Sequence, residues 1–229
     1  MQELLETIVE QAVEAGLFPG AAAAVGGGSD LLGMHTAGRL WLDDGPEVLV
    51  DTRFDMASCT KVMVPTMLAL MAMERGILTL DDTIGRFLPA PKDRAGITVR
   101  QLMTHTSGIN PHVLLHEYTN DPEDVVRVIL ELPLEGPAGI PRYSCLGFIV
   151  LGKMLEKAYG QTMDKLAQEL IFGPLRMTST GYCPEGNNIA ATEVDPDTGE
   201  ALVGVVHDEN ARFMGGVSAN AGLFSTVAD

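Results

Sequence analysis

Positive charge is scarce in this chain. Fifteen Lys and Arg stand against 31 Asp and Glu, a formal net charge of −16 over 229 residues. So acidic a surface repels nucleic acid and anionic membranes, which excludes them as expected partners; it favours solubility and says little else. Cysteine is scarce too. Cys59, Cys145 and Cys183 are odd in number and widely spaced, which leaves neither a disulfide framework nor a C-x-x-C metal pair. No basic segment followed by an apolar run opens the chain between Met1 and Glu6, so no signal peptide is read there. The sequence therefore reads as cytoplasmic unless a leader has been removed. Gly27 and Gly28 are followed by neither G-x-G-x-x-G nor G-K-[ST], so a turn is expected there rather than a phosphate loop. Internal repeats and low-complexity segments are absent as well. What is present is a composition 46% apolar, with 25 Gly and 13 Pro, that of a globular, loop-containing protein with one good-sized domain or two small ones.

One stretch organises the rest. Between Met56 and Met73 the only charged residue is Lys61, and the segment reads as a helix apolar nearly all round, suited to a protein interior. Ser58, Thr60, Lys61, Pro65 and Thr66 interrupt it too often for a membrane span. An ammonium is costly in such surroundings unless it is paired or gives up its proton, which is how buried lysines come to serve as bases. Ser58 lies three residues before Lys61, so on a helix its hydroxyl shares a face with the lysine nitrogen. A serine beside a base, at a helix N-terminus whose free N–H groups could bind an oxyanion, is a nucleophile constellation. S-x-x-K alone is a common chance match; the uncharged helix around it is what gives this one weight.

Taken in order, residues 2–15 place Leu4, Leu5, Ile8, Val9, Ala12 and Val13 on one stripe of an amphipathic helix, stopped by Gly16 and Pro19. A strand of very small side chains follows from Gly20 to Gly28, then a second strand around Leu31 to Leu40, with a reversal at Asp44, Gly45 and Pro46. Arg53 to Met56 lead into the Ser58 helix. Pro65 cannot donate to the Lys61 carbonyl and is expected to kink the axis, and Gly76 to end it. Further helices are expected after an Asp81–Asp82 cap, over 99–104 behind a Thr98 cap, over 122–132 opened by Pro122, from Ser144 to about Tyr159 closed by Gly160, and over 162–171. Between the 122–132 helix and the one from Ser144, a rigid loop of Pro133, Gly136, Pro137, Gly139 and Pro141 delivers Tyr143 and Ser144. Residues 184–222 read as loop. Thr226, three residues before Asp229, is a helix-opening signal with no helix behind it.

Other candidates are weaker. Tyr143 could shuttle a proton, or simply sit at an interface with its hydroxyl in water. His112 and His116 have the i, i+4 spacing of a zinc pair, but HVLLHE is not H-E-x-x-H and no third ligand is placed near it, so no metal is expected. His207, Asp208 and Glu209 could be a base with an orienting acid, though local hydrogen bonds in a loop are the expected reading. His105 is expected to satisfy backbone groups of a turn, and Cys59 to be core.

These segments together resemble the serine β-lactamase and penicillin-binding-protein superfamily, in particular its class C-like esterase and D,D-peptidase branch. The resemblance is carried by Phe54 with Ala57-Ser58-Cys59-Thr60-Lys61, Leu102-Met-Thr-His-Thr-Ser-Gly108, Tyr143-Ser144, Phe172-Gly-Pro-Leu-Arg-Met-Thr-Ser-Thr180, His207-Asp-Glu-Asn-Ala-Arg212 and Gly222-Leu-Phe-Ser-Thr226, in family order from about residue 20 onward. It implies Ser58 as the acylated nucleophile, Lys61 as a base and Tyr143 as the group relaying a proton to the leaving group, with no cofactor. Two departures stand out. The family's second motif is usually Tyr-x-Asn and here reads Tyr143-Ser144-Cys145, so Cys145 occupies a substrate-binding position with a thiol in place of an amide. The family's third motif, Lys-Thr-Gly or a His-x-Gly variant, does not occur.

The expected fold is α+β and two-layered, a helical region beside an antiparallel sheet, with residues 1–229 forming the N-terminal two-thirds of one such domain and the last strands lacking. The expected activity is that of a serine hydrolase forming an acyl-enzyme with a small-molecule ester, β-lactam or D-alanyl peptide, the cytoplasmic reading and Cys145 favouring small esters. The alternative is a binding or sensor module that keeps the pocket without turnover. An open sheet edge is expected to permit self-association.

Overall fold

Small side chains set the first sheet. The computed structural model describes residues 1–229 apart from Ser29, Asp43 and Asp44. β1 (Gly20–Gly27) pairs antiparallel with β2 (Asp30–Gly38), from Gly20 opposite Gly38 to Gly27 opposite Asp30, with a register shift between Val25 and Gly26. Helix α1 (Gln2–Glu14) packs on this pair through Val9, and the Gln2 carboxamide bonds both backbone groups of Met34, at 2.9 and 3.0 Å. The chain reverses after β2 as expected, with the Leu40 N–H donating to the Pro46 carbonyl; Asp44 of the expected turn lies outside the described residues. A second small sheet has the order β3–β5–β4, all antiparallel, from β3 (Phe54–Asp55), β4 (Gly181–Tyr182) and β5 (Leu223–Ser225). Just beyond it the Thr226 hydroxyl accepts the Asp229 N–H at 3.1 Å, the capping bond that the T-x-x-D spacing suggested. These elements form one unit, made of residues 1–55, 176–207 and 223–229.

The second unit, residues 56–175 and 208–222, is helical. Its centre is α6 (Cys145–Tyr159), whose residues Leu146, Phe148, Ile149, Val150, Leu151, Met154 and Leu155 are all buried. Ser144 caps it by accepting the Gly147 N–H at 2.9 Å, and Gly160 closes it at φ +75°, a conformation that suits glycine. Around α6 pack α2 (Met67–Glu74) with the turn before it, α3 (Ile84–Phe87), α4 (Val99–Met103), α5 (Val125–Glu131) and α7 (Met163–Ala167). Thr98 and Gln101 form a reciprocal capping box on α4. Gly152 of α6 is a close-approach site, since a Cβ there would lie 2.5 Å from Ala219 Cβ.

Several sequence expectations need correction. Leu4 and Ile8 of α1 are exposed, because the sheet beneath the helix is two strands wide and receives only part of its apolar stripe. The Ser58 helix is buried on one side only; Val62, Met67 and Leu70 face outward. The cap of α3 is Thr83, with Asp82 instead accepting from the Thr79 N–H and pairing with Arg86. The 184–222 segment contains a short helix, α8 (Glu209–Phe213), capped by the Asp208 carboxylate through the Ala211 N–H. Among the described residues no helix is long and apolar enough to cross a membrane.

Candidate active site

The site is built on an irregular helix. Ala57 has φ +44°, in the left-handed region that costs an L-residue free energy, and it opens a single 3-10 turn, Ala57–Cys59, with Ser58 at its middle. The chain then passes through Lys61 into a π turn over Val62–Thr66 and on into α2. The π turn is the backbone's answer to Pro65, which has no N–H to give the Lys61 carbonyl. That carbonyl instead accepts from the Thr66 hydroxyl at 2.8 Å. Ser58 is thereby exposed while Lys61, one turn on, is 3% exposed.

The Lys61 ammonium has three N–H donors and finds three acceptors: Ser58 Oγ at 2.9 Å, the Asn220 carbonyl at 2.9 Å and Cys145 Sγ at 3.4 Å. Among the described residues no carboxylate pairs with it. Aromatic rings serve instead, with Nζ 5.0 Å from the Tyr143 ring centroid and 6.0 Å from that of Phe148. This answers the question of how a buried lysine is tolerated in an uncharged helix: its hydrogen bonds are complete and two π faces cover it. If the lysine gives up a proton, its freed lone pair can accept the Ser58 hydroxyl, and the bond between them reverses.

Tyr143 is half exposed, and its ring lies 4.5 Å from the His105 imidazole at an angle of 38°. The Pro/Gly loop that carries it is fastened to the turn after α4 by three backbone bonds: Glu135 N–H to Gly108 O, Gly139 N–H to Thr106 O and Arg142 N–H to His105 O. Next along, the Ser144 hydroxyl donates to Asn110 O at 2.8 Å and the Cys145 N–H to Pro111 O at 3.0 Å. Residues 105–111 are thus the bed on which residues 135–145 lie.

Ser58, Lys61, Tyr143 and Cys145, all singled out from sequence, converge here. His105 does bond a backbone group with its ring, though of the α6 cap and not of a turn: Nδ1 accepts the Ser144 N–H at 3.1 Å. Burial first, and then the positive charge of Lys61, hold its pKa below the ordinary value of 6.5. Cys59 departs from expectation: it is exposed, on the same side as Val62 three residues on. His112 lies in irregular chain and His116 in a 3-10 turn, so the helical i, i+4 pairing needed for a metal is not formed. His207 stands 3.6 Å from Glu193, and Asp208 is occupied in capping α8. Two contributors were missed. Asn220, fully buried, supplies the carbonyl for Lys61 and accepts the Ser218 hydroxyl at Oδ1, while its Nδ2 is buried without a partner. Phe148 floors the lysine. Nothing in a Gly-rich loop or on a buried helix face marks either from sequence.

A family model described as Beta-lactamase matches residues 5–229. A protein of Escherichia coli (strain K12) provisionally named a D-alanyl-D-alanine carboxypeptidase is 29% identical, over 84% of this chain and 52% of its own length. The N-acetylmuramyl-L-alanine amidase of Bacillus subtilis (strain 168) is 27% identical, over 98% of this chain and 60% of its own. Of solved structures, a class C beta lactamase from Rhodobacter sphaeroides superposes with a TM-score of 0.78 at 24% identity, covering 96% of this chain and 60% of that one, a likeness of fold. The chain thus spans little more than half the length of the relatives it matches. With a family model matched along nearly all of it and helices combined with antiparallel strands in the fold of these relatives, the chain belongs to the beta-lactamase family, within the superfamily of serine β-lactamases and penicillin-binding proteins.

Proposed function

We propose that the chain carries the acylation site of a serine hydrolase that works through an acyl-enzyme. The observation that supports this most directly is the 2.9 Å bond between buried Lys61 Nζ and exposed Ser58 Oγ. In the proposed step the Ser58 oxygen attacks the substrate carbonyl while its proton passes to the neutral Lys61 amine; Tyr143 relays a proton to the departing group, and water later releases the acyl group from Ser58. The names of the relatives favour an amide-type bond next to alanine, or a β-lactam, over the simple ester that the sequence suggested. Cys145 supports a second reading, a binding or sensor module with impaired turnover, because a thiol cannot both donate to and accept from a substrate amide as asparagine does.

A fluorophosphonate or a labelled penicillin tests both readings. The proposed hydrolase is modified at Ser58, Ser58→Ala abolishes the label, and the native chain turns over an ester, β-lactam or D-alanyl amide substrate. Labelling at Ser58 without turnover of any of these points to the sensor reading. Labelling that persists in Ser58→Ala rules out Ser58 as the nucleophile.

A further inference from the structure

Tyr143 is gripped by one residue on three sides. The His105 carbonyl accepts the Arg142 N–H at 2.7 Å, its Nδ1 accepts the Ser144 N–H at 3.1 Å, and its ring packs at a tilt against that of Tyr143 itself. The backbone on either side of the tyrosine is therefore bonded to the residue its side chain packs against. His105 is in turn fixed, by φ +56° at its own Cα and by Phe148, whose ring is 5.0 Å away.

We infer that His105 is the positioning residue for Tyr143, and that it holds the phenol at Lys61 only while its Nδ1 is unprotonated, so that acid releases the tyrosine from the site. This rests on the proposed role of Tyr143 for its effect on rate, though not for the clamp itself. A lone pair at Nδ1 is required to accept the Ser144 N–H; that leaves the neutral ring with its proton on Nε2. Protonation puts a hydrogen on Nδ1 facing the Ser144 N–H, two donors at the distance of one hydrogen bond, and the 142–144 segment must move. The groups that face the imidazole are Lys61 from the nucleophile helix, Tyr143 from the loop and apolar Phe148 from α6, while the Arg142 side chain is turned to Glu135. Burial and the Lys61 charge both resist the protonation and outweigh the Ser144 backbone contact, which by itself would raise the value, so the release lies below the ordinary histidine value.

The clamp is tested on the full 229-residue chain by proton–nitrogen NMR during an acid titration, together with the rate of Ser58 labelling by a penicillin at each pH. The Ser144 amide, the Tyr143 ring and His105 Nδ1 should shift with one midpoint, and a component of the fall in labelling should share it. His105→Leu replaces the ring with an apolar side chain without an acceptor and should lose labelling by about tenfold to a hundredfold at neutral pH. His105→Asn, whose Oδ1 can take the Ser144 N–H, should recover most of that loss and should lose the component of the acid limb that follows the His105 midpoint. A Ser144 amide that ignores the His105 titration overturns the inference, as does a His105→Leu chain with the native rate and profile. A native chain that is never labelled at Ser58 overturns the proposed hydrolase instead, and the NMR titration still decides the clamp.

Discussion

Cys145 is the residue on which substrate choice should turn. Its sulfur accepts a long bond from Lys61 at 3.4 Å, from a position where the family usually places an amide. Cys145→Asn would restore a group able to meet both the lysine and a substrate amide. We expect it to raise labelling or turnover of amide and β-lactam substrates by about tenfold to a hundredfold, the equivalent of roughly 1–3 kcal/mol for a polar group otherwise unmet. Simple esters should gain little, so equal gains on both classes would refute the assignment. His105 makes a separate prediction about stability. Its pKa is lower in the folded chain than the ordinary 6.5, so the unfolded chain binds the proton more readily. The stability tied to the neutral ring is complete above about pH 6.5 and is lost as pH falls through the folded value. The melting-temperature gap between the native chain and His105→Asn should therefore narrow or invert between pH 7.5 and pH 5, and a gap constant across that range would contradict the linkage.

At the scale of elements, two helices hold the lysine from opposite ends. The Ser58 helix spends a π turn and a threonine hydroxyl on the carbonyl that Pro65 leaves unserved, so Thr66 is part of the support of Lys61 as well as of the helix. On the other side, α6 approaches the loop that carries Asn220 so closely that Gly152 has no room for a methyl group against Ala219. Gly152→Ala should destabilise the chain by about 1–3 kcal/mol through overpacking. It should also slow Ser58 labelling, because the displaced loop contains the carbonyl that accepts from Lys61. Ala219→Gly in the same chain removes the colliding Cβ and should restore both the melting temperature and the labelling rate. If the double variant is no better than Gly152→Ala alone, the contact is not the cause.

For the molecule as a whole, the unguarded surface is that of the β1–β2 unit. Neither of its two strands has a further strand on its outer edge among the described residues, and Leu4, Ile8, Leu31 and Leu32 are all exposed there. Edges and apolar patches of this kind favour pairing with a second copy, and the net charge of −16 opposes it. We expect the 229-residue chain to elute from a sizing column as a concentration-dependent mixture, shifted further toward oligomers by salt that screens the charge. Lysine at both Leu4 and Ile8 should shift it toward monomer. A native chain that elutes as monomer at every concentration and salt would show that these surfaces do not associate.

Most elements are legible in the residues because the signals are local: Thr98 for a cap, Pro122 and Gly160 for an opening and a close, a run of very small residues for β1. The sequence also marked Ser58 and Lys61, since a lone charge in an apolar helix is an anomaly visible without neighbours, while Tyr143 and Cys145 stood out only through the resemblance to the family's second motif. How the lysine is satisfied depends on packing between distant segments, through Asn220, 159 residues away in the chain, and Phe148, 87 residues away. The same holds for the outward turn of Cys59, for the two exposed leucine-class residues of α1, and for the grip of His105 on Tyr143. Each depends on which surfaces meet, and hydrogen bonds and burial between distant segments leave no periodicity in the residues that make them.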